Sequence, residues 1–315
     1  MKKIFALLLM CFCLLAVMAQ QQAQFTHYMY NSMLYNPAAA GALEQSSFTI
    51  LARQQWIGFN SSSDHAENPR TNVFSADMPV RILHGGLGVS VYQDELGFDK
   101  NLGINLDYAY RFNLGPGNLA IGLQAIILNK KRDFSKFEVL ESDDPVFRNK
   151  TVQTVMINDM GVGLFFQIPE AFQIGLSSSQ LLESSAAMQG SSITKLKRHY
   201  YLFSDYQYKL PSFTDWSLRP SVFAESDGTA TQFSTSLLLE NSRHYWIGLA
   251  YRNQDAVSVL AGLHYKGLRI AYAYDWTTSS MKKAGSMGSH EIMLNYFIKI
   301  ERMPARTMYK NARYL

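Results

Sequence analysis

A chain of 315 residues that is 47% hydrophobic and 13% aromatic can bury a large core, which excludes an intrinsically disordered protein. Only 17% of the residues are charged, below the ~25% of ordinary soluble domains, and beyond the first twenty positions no apolar run approaches the roughly 18 residues of a spanning helix. The formal net charge of +4 is carried in part by the first three residues and leaves no case for nucleic acid as a partner.

Residues 1–19 read as a secretory signal peptide. Lys2 and Lys3 form the charged region, Ile4 to Val17 the apolar region, and Val17-Met18-Ala19 places small residues where a signal peptidase cuts, so cleavage is expected between Ala19 and Gln20. The apolar run is shorter than the ~20 residues of a spanning anchor. Both cysteines, Cys11 and Cys13, fall inside this leader, so the cysteine count carries no disulfide information. Losing Lys2 and Lys3 leaves 27 basic against 25 acidic residues, a net charge of +2.

Residues 20–45 form a separate N-terminal segment. Its centre, Phe25 to Gly41, is aromatic and Met-rich, breaks at Asn36-Pro37 and follows no strand rhythm, so it is expected to pack in a lumen or in the periplasm.

From Ser46 to about residue 300 the dominant signal is alternation with a period of two. Leu102, Ile104, Leu106, Tyr108, Tyr110 and Phe112 share one face, while Gly103, Asn105, Asp107, Ala109 and Arg111 share the other. The pattern recurs in Leu268, Ile270, Tyr272, Tyr274 and Trp276, and again in Ile292, Leu294, Tyr296 and Ile298. Turn chemistry at Gly97–Asn101, Gly115–Asn118, Ser226–Gly228 and Asn253–Asp255 separates such segments. About 14 candidate strands of roughly 9 to 13 residues result, the length a tilted strand needs to cross a bilayer. They begin near Ser46, Thr71, His84, Asn101, Asn118, Met156, Glu170, Lys197, Asp215, Ala230, Arg243, Asp255, Leu268 and Ser289. An even number suits an up-and-down barrel whose termini share one side.

Two regions inside this span break the rhythm. Lys130 to Thr151, with Glu138, Glu141, Asp143 and Asp144, reads as a polar extracellular loop; Ser177 to Leu196 reads as a loop with a short helix from Gln180 to Met188. Residues 301–315 form a basic periplasmic tail containing Arg302, Arg306, Lys310 and Arg313.

A β-sandwich would keep Lys and Glu on its outer faces. Here the second face is small and polar with few charges, and aromatics gather near strand ends, as at Tyr108, Tyr110, Phe112, Tyr200, Tyr201, Tyr251, Tyr272, Tyr274 and Trp276. Aromatic girdles at two bilayer interfaces account for that. An open sheet edge in hydrocarbon leaves unpaired backbone groups, so the sheet must close. The fold class is therefore all-β, a transmembrane antiparallel up-and-down barrel spanning residues 46–300 in contact with outer-membrane lipid.

No catalytic, cofactor or metal constellation emerges. Gly86-Leu87-Gly88 and Gly161-Val162-Gly163 are lone pairs inside strands, where small residues relieve crowding in a lumen. The seven histidines lack HxxxH or HxH spacing, the acidic loop lacks the internal glycine of a calcium loop, and no G-x-S-x-G elbow is present. The reading is not an enzyme; the polar strand face leaves a passive porin or channel open as the alternative.

Several segments carry a family resemblance. QAQFTHYMYNSMLYNPAAAG from Gln22, RQQWIGF from Arg53, GLGVSVYQDELG from Gly86, GINLDYAYRFNLG from Gly103, DPVF from Asp144, KRHYY from Lys197, YWIGLAYRNQDAVS from Tyr245, LRIAYAYDWT from Leu268 and GSHEIMLNYF from Gly288 together resemble the PorP/SprF family of type IX secretion outer-membrane proteins. Asn36, Pro37, Gly41, Arg53, Gln55 and Trp56 match its signature, and a packing role is expected for them. The resemblance implies a non-enzymatic outer-membrane barrel in protein export or surface anchoring, including gliding adhesins, in Bacteroidota-type cells. It implies as partners the periplasmic ring and motor proteins, a peptidoglycan-binding lipoprotein and secreted proteins with a C-terminal sorting domain. About 14 strands enclose a lumen narrower than a 16-stranded porin's, so a docking role is expected over passage of folded cargo, with the basic tail meeting the periplasmic machinery.

Overall fold

The computed structural model describes residues 22–59, 68–134, 152–187, 193–213, 215–241, 244–283 and 285–299. The leader with Ala19 and Gln20, the acidic loop from 135 to 151, and the tail with Arg302, Arg306, Lys310 and Arg313 lie outside the described residues.

Three short 3-10 turns, Tyr28–Tyr30, Ser32–Leu34 and Pro37–Ala39, precede the strands. The strands are β1 (Ser46–Gln54), β2 (Arg70–Val80), β3 (Gly85–Leu96), β4 (Asp99–Leu114), β5 (Gly117–Asp133), β6 (Val152–Ile168), β7 (Phe172–Ser179), β8 (Ser185–Ala187), β9 (Ile193–Lys195), β10 (His199–Tyr206), β11 (Tyr208–Lys209), β12 (Trp216–Ser226), β13 (Thr231–Asn241), β14 (Tyr245–Arg252), β15 (Ala256–Tyr265), β16 (Leu268–Thr277) and β17 (Ser289–Ile298). Each principal strand pairs antiparallel with its sequence neighbour, and β1 closes on β17 from Ser46↔Ile298 to Gln54↔His290. β10 pairs with β12 directly, and β11 continues β10 along the same partner. The pairing lapses beside Pro220, which has no N–H to give to a ladder and sits on the exposed face. With β8 and β9 forming a separate hairpin, the wall is a closed barrel of fourteen strands.

Alternation becomes two faces of opposite character. On β14, Tyr245, Ile247, Leu249 and Tyr251 all point outward, an aromatic at each end and aliphatics between. Tyr110, Tyr206, Tyr265 and Tyr296 extend one girdle, and Tyr200 and Trp276 extend the other. Ile50, Leu106, Leu123, Leu237, Val259 and Ile292 fill the band between them. Such an apolar cylinder is stable only against lipid. Tyr201 departs from the expected girdle: it is buried and faces the lumen.

The two ends differ. β1, β5, β7 and β16 finish at one end, where the longest stretches of sequence lead to the next wall strand and where the short β3–β4, β12–β13 and β14–β15 turns also lie; 81–84, 115–116, 169–171 and 266–267 lie at the other, with the start of β1 and the end of β17. The end that carries the long connections is the extracellular one, and the end with short turns alone is the periplasmic one. The turns are locally encoded: Gly97 opens the β3–β4 hairpin at φ +59°. In the β12–β13 turn, Asp227 Oδ1 accepts the Thr229 and Ala230 N–H groups at 2.9 and 2.8 Å. Burial would raise this carboxyl, yet the N–H donors of Ala230 and Thr229 hold it below the ordinary carboxylate range.

Two loop expectations need correction. Lys130–Asp133 belong to β5, where Arg132 pairs with Asp99 through Nη2 at 2.6 Å. Ser177–Ser179 belong to β7, and the expected helix from Gln180 is a turn leading into the β8–β9 hairpin. The cause is local. Gln180 and Glu183 adopt φ of +54° and +49°, while both oxygens of Asp159 accept the Leu182 and Ser184 N–H groups at 2.9 Å, which competes with helical bonding.

Candidate functional site: the plugged lumen

The lumen is filled by the N-terminal segment. Phe25, Tyr28, Met29, Met33, Tyr35 and Ala38 to Ala40 are buried against the inner wall. Its backbone is irregular, so its polar groups need outside partners, and wall side chains provide them. Arg111 donates to the carbonyls of Gly41 and Ala40 at 2.9 and 2.8 Å, Gln167 to Ala42 at 2.8 Å, and Ser177 to Tyr35 at 2.7 Å.

The signature residues have distinct tasks here. Asn36 caps the Pro37–Ala39 turn, its Oδ1 accepting the Ala38 N–H at 3.0 Å, and Pro37 takes the first turn position, which needs no donor. Asn36 Nδ2 also donates to the Leu164 carbonyl of β6 at 2.9 Å. Gly41 turns the chain toward β1 at φ +66°, and its N–H reaches Asp77 at 2.8 Å. A Cβ at Gly41 would press on the Met78 carbonyl. The wall is shaped to match: a Cβ at Gly86, Gly88, Gly122 or Gly163 would collide with Ala40, Met33, Ala38 or Asn36 respectively. These glycines are the seat of the plug.

Arg53 organises a buried charge cluster. It lies on β1 directly opposite Glu291 of β17, at the seam where first and last strands meet. Its Nη2 is 2.6 Å from Asp275 and its Nη1 is 2.9 Å from Glu291 and 3.0 Å from Thr26 Oγ1. Glu291 accepts the backbone N–H groups of Thr26 and His27, both at 2.8 Å, and contacts His27 Nδ1 at 2.6 Å. Thr26 Oγ1 donates to Asp275 at 2.9 Å, and Arg252 of β14 lies 3.6 Å from the same carboxylate. Two cations and two carboxylates thus hold the plug and staple the seam together. Gln55 and Trp56 follow β1 rather than belonging to it. The Trp56 N–H donates to Ser289 Oγ at 3.1 Å, and both residues line the outer cavity.

The sequence reading missed Thr26, His27, Arg252, Asp275 and Glu291. A usable signal existed: Arg252, Asp275 and Glu291 are charges at inward positions of alternating strands.

The plug separates two cavities. One of about 790 Å³ opens at the long-loop end and is lined by Gln24, Trp56, Tyr92, Asp94, Lys130 and Tyr201. The other, about 540 Å³, opens at the short-turn end and is lined by Tyr30, Asp77, His264, Arg269 and Lys299. Gln22 and Gln24 lie in the first cavity, so the chain descends through the lumen from the extracellular end before turning up into β1. The strands' termini share one side as expected; the plug reverses direction.

Comparison with known proteins follows the same line. The chain resembles the Ralstonia pickettii toluene transporter TbuX (9% identity, TM-score 0.50, 86% of this chain and 93% of that one). It also resembles the monoaromatic hydrocarbon channel CymD (10%, 0.51, 86% and 93%) and the P. putida toluene transporter TodX (8%, 0.50, 86% and 94%). At such identities the likeness is one of fold alone. No curated protein matches by sequence. The family model of the type IX secretion system membrane protein PorP/SprF matches residues 17–296. Lipid-facing girdles, barrel closure and this match place the protein in the bacterial outer membrane, among the other components of that secretion system. The chain belongs to the PorP/SprF family of type IX secretion system membrane proteins.

Proposed function

We propose that the protein is a non-enzymatic docking barrel of type IX secretion, which presents its long loops to a secreted surface protein and its short-turn end to periplasmic machinery. The observation that carries this reading is the plug. A porin keeps a water-filled channel, whereas here Phe25 to Ala40 fill the lumen between two separate cavities, with Thr26 and His27 hydrogen-bonded into a buried charge cluster. A filled barrel offers rigid surfaces at both ends, which suits docking.

On this reading residues 1–19 are removed after export, and the basic tail with Arg302, Arg306, Lys310 and Arg313 meets ring, motor or peptidoglycan-binding partners. The extracellular loops hold the C-terminal sorting domain of a secreted protein such as a gliding adhesin. Quantitative proteomics of secreted and surface fractions from a deletion strain and its parent tests the role. Loss of many exported proteins marks a core component, loss of one large surface protein marks a dedicated partner, and no loss overturns the reading in favour of a passive pore. Removing residues 301–315 is expected to abolish co-purification with periplasmic partners; unchanged co-purification refutes the role of the tail.

A further inference from the structure

The cavity at the short-turn end holds an arginine that no carboxylate of the described residues contacts. The Arg269 guanidinium of β16 lies over the Tyr30 ring at 4.2 Å and over the Phe297 ring at 5.1 Å. Its Nε donates to His264 Nε2 at 3.2 Å, which leaves the imidazole proton on Nδ1 and the ring neutral. Among the described residues no carboxylate lies within ion-pair distance of it. Glu240, the acid whose charge reaches it, is bound to Arg219 at 3.7 Å and accepts the Tyr30 hydroxyl at 2.7 Å, and Asp77, which lines the same cavity, accepts the Gly41 N–H at 2.8 Å. Lys299, at the end of β17, lines the same cavity of about 540 Å³.

The Tyr30 and Phe297 rings pack on the guanidinium and His264 takes Nε, which leaves the Nη edge, a planar fork that matches two carboxylate oxygens. A cation partly removed from water with no carboxylate in contact is costly, and a ligand carboxylate would complete it. We propose that this cavity binds a peptide carboxylate entering from the periplasm, with Arg269 as its bidentate partner and Lys299 adding charge at the mouth. The inference rests on the proposed function only for the name of that end, and it is tested on the purified barrel without any secretion phenotype.

The probe is a fluorescent pentapeptide, Gly-Ser-Gly-Ser-Glu with a free C-terminus, titrated against the full-length barrel in detergent by anisotropy. Arg269→Gln is expected to weaken binding at least tenfold, while Arg132→Gln, at the opposite end, leaves it unchanged. Heat-dependent gel mobility reports folding. If Arg269→Gln does not fold, Arg269→Lys decides: a several-fold loss supports the bidentate fork, and unchanged affinity overturns it. Amidating the C-terminus or replacing Glu by Gln distinguishes a chain-terminal from a side-chain carboxylate, and selective loss in either arm supports the site. Equal binding by a peptide lacking both carboxylates overturns the proposal. So does displacement by inorganic phosphate at lower concentration than by acetate.

Discussion

Replacing Arg53 by Met removes one cation from between two carboxylates that are almost wholly buried, with side-chain exposures of 2% for Asp275 and 0% for Glu291. Breaking a buried pair from one side typically costs 3–5 kcal/mol, because the orphaned charge stays desolvated. Here Arg252 remains 3.6 Å from Asp275 and His27 stays on Glu291, so the lower end, about 3 kcal/mol, is expected. The loss falls on the β1–β17 seam and on Thr26 together, so seam and plug should weaken in one transition. Urea unfolding of the barrel refolded into lipid vesicles, followed by tryptophan emission and gel mobility, gives the number. A double-mutant cycle with Glu291→Gln should return a coupling above about 1.5 kcal/mol, as for hydrogen bonds to charged groups. A loss below about 1 kcal/mol with no coupling would refute the staple.

Further expectations follow from the plug and the lipid face. Gly122→Ala drives a methyl into the Ala38 backbone and should cost about 1–3 kcal/mol while loosening the plug. Gly97→Ala, in open space at φ +59°, should cost about 1–2 kcal/mol and leave the plug untouched; urea titration of both, with conductance as the second readout, separates them. A cysteine at Gln24 should react with an impermeant maleimide added to intact cells, whereas one at Leu43, 50% exposed at the other end, should react only after the outer membrane is opened. The reverse pattern would invert the orientation. Leu249→Arg, mid-strand and 61% exposed to lipid, should destabilise the barrel by about 2–4 kcal/mol in vesicles. An unchanged urea midpoint would remove that residue from the bilayer.

Much of the wall was legible because a strand writes its two faces into alternate positions. Leu102 to Phe112 and Leu268 to Trp276 already separate lipid side from lumen side. The charge cluster was not legible, since Arg53 lies on the first strand and Asp275 and Glu291 on the last two, and only closure sets Arg53 within 3 Å of both carboxylates. Tyr201 was misassigned because aromatic composition near a strand end does not say which face carries the ring; its parity places it inward with Phe203. The helix expected from Gln180 failed for a similar reason. Its small residues fit a helix, but Asp159, twenty-one positions earlier, takes the backbone donors. Asn36, Pro37 and Gly41 could be recognised as a motif, yet their purpose depends on glycines distributed over β3, β5 and β6, which no local pattern connects to them.

The central claim, a barrel closed by its own N-terminal segment, is tested most directly by single-channel recording in a planar bilayer. The native protein is expected to be nearly silent, and Arg53→Met, which removes the Arg53–Thr26 bond and leaves the carboxylates that hold Thr26 and His27 short of a cation, is expected to show more frequent openings. Steady, porin-like conductance from the native protein would contradict the account and favour a solute channel.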